Sequence, residues 1–459
     1  MTTPSRPPLQ LDVKQAGSHD RPQTMCPAFG ALRIGLRMRR IASVLCGSGC
    51  CAYGLTFTTH FYGARRSVGY VPFDSETLVT GKIFEDVRGA VEQLADPARY
   101  DAIVVINLCV PTAAGVPLRL LPTQINGVRI ITLDIPGFGV PTHAEAKDLL
   151  TSVMLRYARG EAERGPVQAP RGGRNQLPTV TLLGELFPVD PVGINQLLSP
   201  LGLAAGPVAP VREWRELYAA LDCAAVAALH PQYAKTAGEF ELAGRAIIPS
   251  APVGCDGTAA WLEAVGRTCG STAAQIDAAK QAVLPAIAGV FAKMPIRGTI
   301  TVSGYEGSEL LVARLLIESG ATVPYVGTAC AQTRWSAPDH EWLVARGVTV
   351  QFAATLEQDK AAVDQVKPDL AIGTTPLVQH AKELCIPALY FTNLISARPL
   401  FGVAGAGSLA QVINTALGSR QRFEKMHTFF AGVGTGATAG GWIRPPRSVT
   451  ATLQGAHPC

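Results

Sequence analysis

The sequence predicts an α/β protein built from repeated doubly wound domains. Short, near-continuously apolar runs alternate with helical patterns along the whole chain, as strands buried on both faces of a parallel sheet do. A unit of strand, glycine turn, helix and terminating glycine recurs at a spacing of about 120 residues: TVTLLGELFPVDPVGINQLLSPLG begins at Thr179 and TITVSGYEGSELLVARLLIESG at Thr299. The length, 459 residues, corresponds to about three domains of roughly 150 residues each.

Taken in order, Met1 to Pro22 is polar and proline-rich, lacks the apolar core of a signal peptide, and reads as part of a disordered arm spanning 1–25. Strands are expected at 41–45, 102–108, 128–133, 179–183, 224–229, 299–303, 369–372 and 388–391. One helix is unusually clear. Thr142 and Glu145 form a capping-box pattern, and Leu149, Leu150, Val153, Met154 and Tyr157 share one face. Arg156 and Arg159 then sit in the last turn and Gly160 stops it. The segment GEAERGPVQAPRGGRNQLP (160–178) has no apolar periodicity and reads as an interdomain linker, exposed at Arg171 and Arg174. A second break falls near 294–298, after a helical stretch over 273–293. These breaks give domains at 26–165, 179–294 and 298–430, then a C-terminal glycine-rich segment and tail at 431–459, with a mobile loop at 432–441.

Composition narrows the function. Apolar residues are 47% and charged residues 16%, which excludes a disordered or polyelectrolyte chain. A net charge of +5 is small for this length, so non-specific binding to nucleic acid or anionic membrane is not indicated. The longest uncharged run, 399–419, is too polar and glycine-broken to span a membrane. Eleven cysteines in a long chain speak for reduced thiols in the cytoplasm rather than a disulfide scaffold. No Gly-x-x-x-x-Gly-Lys-[Ser/Thr] occurs, so ATP hydrolysis by this chain is not expected, and Gly304-Tyr-Glu-Gly307 reads as a tight turn.

The cysteines carry the remaining chemistry. Cys46, Cys50 and Cys51 lie in a strand-to-turn segment, VLCGSGCCAYG, where a thiolate at a helix N-terminus is favoured. Cys26 precedes Pro27 in a loop, and Cys109 follows an apolar strand. Three such cysteines could converge on a metal centre, or each could be a small core hydrophobe. Zinc is disfavoured because no Cys-x-x-Cys or Cys/His set closes a tetrahedron. Cys223, Cys255, Cys269, Cys330 and Cys385 read as core residues, and Cys459 as an exposed terminus.

Long stretches resemble a known family. They include MCPAFGALRIGLRM, CCAYGLTFTTHFYGARRSVGYVPFDSETLVTGKIFEDVR, YDAIVVINLCVPTAAGVPL, VRIITLDIPGFGVPTHAEAKDLL, TVTLLGELFP, SGYEGSELLVARLLIESGATVPYVGTAC and DLAIGTTPLVQHAKELCIPALYFTNLISARPL. Over nearly its whole length the chain is similar to the catalytic component of the nitrogenase-like reductases, the nitrogenase component 1 family. It is most similar to members acting on chlorophyllide a. The resemblance implies three Rossmann-like domains around a central cleft. It also implies a [4Fe–4S] cluster at a subunit interface, held by Cys26, Cys51 and Cys109 with one ligand from a homologous partner subunit, in a heterodimer doubled to a heterotetramer. An iron protein that carries the ATP–Mg would dock transiently, near 74–82, and deliver electrons. The implied reaction reduces the C7=C8 bond of ring B of chlorophyllide a in bacteriochlorophyll synthesis.

Within the family, ALHPQYAKTA lacks the cysteine, and AGVGTGATAGG the histidine, that hold a nitrogenase metal cofactor. A cavity free for a flat tetrapyrrole is therefore expected. VPTAAGVPL after Cys109 favours the chlorophyllide branch over the N-type protochlorophyllide subunit, which stays the alternative beside a non-catalytic cofactor-assembly scaffold. Aligning GSGCCAY with the family pattern puts the ligand at Cys51, with Tyr53 as its aromatic neighbour and Cys50 as a packing thiol. His60, His143, Asp74 and Glu76 are candidate proton donors, none singled out, and the catalytic residues stay unassigned.

Overall fold

The computed structural model describes residues 9, 26–61, 68–165, 167, 177–185, 189–396 and 398–430, with backbone alone at 58–61, 426, 427, 429 and 430. Apart from residue 9, the N-terminal arm lies outside the described residues. So do Arg171, Arg174, the glycine-rich 432–441 segment and Cys459.

Three separate sheets form. The first contains β1 (Ile41–Gly47), β2 (Val68–Pro72), β3 (Ala102–Asn107), β4 (Gln124–Ile125) and β5 (Val128–Asp134) in the order β2-β1-β3-β5-β4, parallel except at β4. Its helices are α1 (Ala28–Arg37), α2 (Gly49–Phe61), α3 (Ser75–Thr80), α4 (Ile83–Leu94), α5 (Cys109–Ala113) and α6 (His143–Arg164). The second sheet, order β7-β6-β8-β9, contains β6 (Thr179–Leu183), β7 (Ala204–Ala209), β8 (Ala225–Ala228) and β9 (Ala246–Ile248), all parallel. With it go α7 (Pro191–Leu198), α8 (Trp214–Leu221), α9 (Ala234–Leu242), α10 (Gly254–Cys269) and α11 (Ala273–Lys293). The third, order β12-β11-β10-β13-β14, holds β10 (Thr299–Gly304), β11 (Thr322–Thr328), β12 (Thr349–Phe352), β13 (Leu370–Gly373) and β14 (Ala388–Tyr390), again all parallel. It carries α12 (Glu309–Glu318), α13 (Ala337–Val344), α14 (Leu356–Val366), α15 (Thr375–Glu383), α16 (Phe391–Ser396), α17 (Gly402–Leu417) and α18 (Arg420–Phe430).

The eight expected strands all form, shifted by no more than a residue or two at their ends. Six others were not legible, because β2, β7, β9 and β12 are only half-buried or exposed along much of their length and do not read as apolar runs. The two-residue β4 is too short to leave a pattern, and β11 carries a proline and a glycine in its run. Gly202 and Gly320 end the repeated units with φ of 74° and 102°, a backbone region that favours glycine.

Two details of α6 differ from expectation. The helix runs through Gly160 to Arg164. Its added turn is held from outside: Glu161 accepts from Arg129 at 2.8 Å and from the Tyr218 hydroxyl at 2.7 Å, and Arg159 pairs with Glu163 at 2.8 Å. Tertiary contacts of this kind override the roughly 1 kcal/mol helix penalty of glycine. The buried face also differs. His143, Lys147, Leu150, Met154 and Ala158 are buried, while Leu149, Val153 and Tyr157 are half-buried.

The cores cross the sheet boundaries. One apolar cluster joins the second and third sheets through Trp261, Leu310 and Val302. Another joins α1 and α6 to the second sheet through Phe29, Tyr233 and Phe240. Burying each such side chain contributes about 1.5–3 kcal/mol, so the contacts between units belong to the same core energetics as those within them. Among the described residues no helix is long and apolar enough to cross a membrane.

Candidate functional site

In a doubly wound sheet, ligands collect at the carboxyl ends of the strands where the winding reverses. That point lies between β1 and β3 in the first sheet, β6 and β8 in the second, and β10 and β13 in the third. Cys51 follows β1 in the first turn of α2, and Cys109 follows β3 as the first residue of α5, so the topology sets them on either side of the first reversal. Cys26 stands just ahead of α1, its carbonyl accepting from the Phe29 N–H at 3.0 Å.

The three thiols are electrostatic neighbours. Burial raises the Cys26 pKa and nearby Cys109 and Cys51 add to that, while the backbone N–H groups of Ala28 and Phe29 oppose it. The Gly137 N–H donates to Cys109 Sγ at 3.1 Å, and the Ser48 hydroxyl donates to Cys51 Sγ at 3.3 Å. Such donors favour thiolates. This all-sulfur donor set fits an iron–sulfur cluster. No group of three or more His, Cys, Asp or Glu side chains is placed to hold a single metal ion among the described residues. Thiols spaced around a four-iron cube do not meet at one point.

The other cysteines separate from this group. Cys46 is fully buried, its pKa pushed up to about 12 by desolvation. Cys50 is exposed, and its Sγ lies 3.3 Å from the same Ser48 hydroxyl. Adjacent thiols in a helical first turn thus reach one hydroxyl, rather than pointing apart as turn or extended geometry would have it. Cys223 and Cys330 are buried as expected, but Cys255, Cys269 and Cys385 are only half-buried. Cys255 and Cys269 pack at the edge of the core.

The candidate proton donors scatter. Asp74 is the N-cap of α3, accepting from the Thr77 N–H at 2.9 Å, and that bond holds its pKa below the usual carboxylate range. Glu76 is exposed on the same helix. The His60 side chain lies outside the described residues. His143 is buried where the three sheets meet, its ring centroid 4.7 Å from that of Tyr305.

That junction holds what sequence reading missed. Lys147 on α6 is almost fully buried and pairs with Glu185, after β6, at 2.7 Å and with Glu306, after β10, at 2.9 Å. Tyr233 donates to Glu185 at 3.2 Å and Thr392 to Glu306 at 3.1 Å. Burial opposes all three charges, but their mutual attraction wins. Lys147 is held above its ordinary pKa, Glu306 down to about 2, and Glu185 far below the carboxylate range. Burial keeps His143 and His230 neutral, each with a pKa near 4. A signal existed: Lys147 shares a helix face with Leu150 and Met154, and a lysine on an apolar face needs a buried partner.

The cavity expected for a flat tetrapyrrole is therefore absent at the junction, where about 10 Å³ remains among Arg33, Arg37, Glu185, Glu306 and Thr392. Ion-paired side chains fill the space. A cleft of about 460 Å³ opens beside it, between the end of α1 and the edge strand β7.

Known proteins resemble this chain at three levels. Residues 26–418 match the family "Nitrogenase component 1 type Oxidoreductase". The "Chlorophyllide reductase 52.5 kDa chain" of Cereibacter sphaeroides is 68% identical, over 94% of this chain and 86% of that one. Its Rhodobacter capsulatus counterpart is 68% identical over 94% and 87%. A light-independent protochlorophyllide reductase chain from Methylobacterium radiotolerans is 24% identical over 83% of this chain and 74% of its own length. Among solved structures, "Nitrogenase Cp1 at pH 6.5" shares the fold with a TM-score of 0.69 at 16% identity, over 91% of this chain and 96% of that one. With a family match across most of its length and relatives at 68% identity, the chain belongs to the nitrogenase component 1 type oxidoreductases.

Proposed function

We propose that the chain is the Y subunit of chlorophyllide a reductase. With the homologous Z subunit it reduces the C7=C8 double bond of ring B of chlorophyllide a in bacteriochlorophyll synthesis, in the cytoplasm. The observation that carries this reading is the 68% identity, across 94% of the chain, to a chlorophyllide reductase chain.

Cys26, Cys51 and Cys109 hold three corners of a [4Fe–4S] cluster, and the Z subunit supplies the fourth ligand. When bound, the cluster supplies one-electron transfer at low potential. The protein's own groups prepare for it: the Gly137 N–H and the Ser48 hydroxyl point at two of the sulfurs. Exposed apolar side chains adjoin the same thiols, with Tyr53 two residues after Cys51, Val110 directly after Cys109, and Phe138 directly after Gly137. A rim of this kind suits burial against the partner subunit. ATP and Mg stay on a separate iron protein, since the sequence has no P-loop. That protein docks near 74–82, where exposed Glu76 offers charge and Leu78 and Val79 offer apolar surface.

The test is anaerobic incubation of this chain with the Z subunit, the iron protein, ATP–Mg and chlorophyllide a, followed by absorption spectroscopy. Conversion to the ring-B-reduced product is expected only in the complete mixture. No conversion there, or conversion without the iron protein, would sink the reading.

A further inference from the structure

With the three-sheet junction closed, a tetrapyrrole needs another place to bind, and the cleft beside α1 has the required size and chemistry. Its volume of about 460 Å³ lies within the roughly 300–1,000 Å³ usual for small-molecule sites. The walls are apolar and stiff: Ile34 from α1, Pro191 at the start of α7, and Pro207, Val208, Pro210 and Val211 along and after β7. Proline is tolerated in β7 because this is an edge strand.

The polar lining is cationic. Three guanidinium groups, Arg37, Arg39 and Arg212, face two carboxylates, Glu185 and Glu216. Both carboxylates are already engaged. Glu185 is 2.7 Å from Lys147, and Glu216 accepts from the Arg212 N–H at 2.8 Å. Arg39 is paired with Glu213 at 2.8 Å. Arg37 comes no closer than 3.5 Å to Glu185, and Arg212 has no side-chain ion pair among the described residues. The cleft thus offers apolar walls and two under-used guanidinium groups, which suit a planar, largely apolar molecule with one ionised carboxylate.

We propose that this cleft seats the macrocycle of the tetrapyrrole substrate, with Arg37 and Arg212 receiving its propionate carboxylate. This inference rests on the reading of the chain as a chlorophyllide-reducing subunit and adds where the substrate lies. The placement is consistent with electron delivery. Ile34 lies about 12 Å along α1 from the Cys26 end, at 1.5 Å per residue, so one helix links the thiol to the pocket wall.

The experiment uses the anaerobic heterodimer without iron protein, titrated with chlorophyllide a and with its neutral propionate methyl ester, and followed by the red absorption band. Wild type is expected to bind the free acid more tightly than the ester. Arg37→Gln and Arg212→Gln should each weaken the free acid by about tenfold, one charge-assisted hydrogen bond, and leave the ester unchanged. Val208→Trp, which fills the cleft, should weaken both ligands by tenfold or more. Heterodimer assembly and iron content show whether that variant folds; if it does not, the exposed Arg212→Gln variant and the ester comparison decide. Wild-type affinities for both ligands in Arg37→Gln and Arg212→Gln would overturn the site and leave the function standing. A wild-type heterodimer that binds no chlorophyllide would remove the function itself, and this site with it.

Discussion

Ser48 reaches both Cys50 and Cys51, so adjacency does not separate the two thiols, but their surroundings do. Cys26 feels the charge of Cys51 and Cys109 and not that of Cys50. Cys26→Ala, Cys51→Ala and Cys109→Ala should each lose iron and sulfide from the anaerobically purified heterodimer, whereas Cys50→Ala should keep near-normal content. The reverse result for Cys50 and Cys51 would move the ligand by one position. At the junction, Lys147→Ala would strand two buried carboxylates. Removing one partner of a buried ion pair costs about 3–5 kcal/mol, a loss that urea unfolding would register. The neutral triple variant Lys147→Met, Glu185→Gln, Glu306→Gln should recover most of it, because the charges contribute mainly by satisfying one another. His143 gives a pH signature. Burial pushes its pKa down to about 4, while the unfolded chain takes up that proton near 6.5. This group's contribution to stability therefore falls as pH drops from about 6.5 to 4. Unfolding measured across that window should show a slope smaller by up to about 1.4 kcal/mol per pH unit in His143→Gln; an unchanged slope would show that His143 already carries its proton in the native state.

The approach of α1 to α6 decides how the elements sit together. A Cβ built on Gly30 would stand 2.0 Å from the His143 carbonyl oxygen, well inside van der Waals contact. Gly30→Ala gains up to about 1 kcal/mol of helix propensity, but the clash separates the helices, and overpacking of this kind typically costs about 1–3 kcal/mol. The net expectation is destabilisation, read as a lower urea midpoint, together with reduced iron retention because α1 positions Cys26. A more stable variant with full iron would mean that the helices have room to spare. The extra turn of α6 illustrates the same rule from the opposite side. Gly160 is a local stop signal, yet Arg129 and Tyr218, brought close only by the fold, hold Glu161 in the helix beyond it.

At the scale of the whole molecule, the open face beside the thiols makes assembly the deciding variable. The isolated chain should carry less iron than the heterodimer and show no chlorophyllide turnover with the iron protein, because three thiolates leave one corner of a four-iron cluster unheld. Full, stable cluster content in the isolated chain, by iron and sulfide analysis, would contradict this. The sequence by itself determined the α/β class, eight of the strands and the 120-residue repeat, because a strand covered on both faces must be written as a local apolar run. It also held the three cysteines, since each follows a recognisable local context and whole segments resemble the family. The tertiary structure alone decided that Lys147 and Glu306, 159 residues apart, share one ion-paired junction, that this junction closes the expected cavity, and that a cleft opens beside it. The physical reason lies in range. Hydrophobic periodicity and capping act between residues a few positions apart and are visible in the sequence, whereas the partner of a buried charge is chosen by whichever distant elements the sheets bring against it.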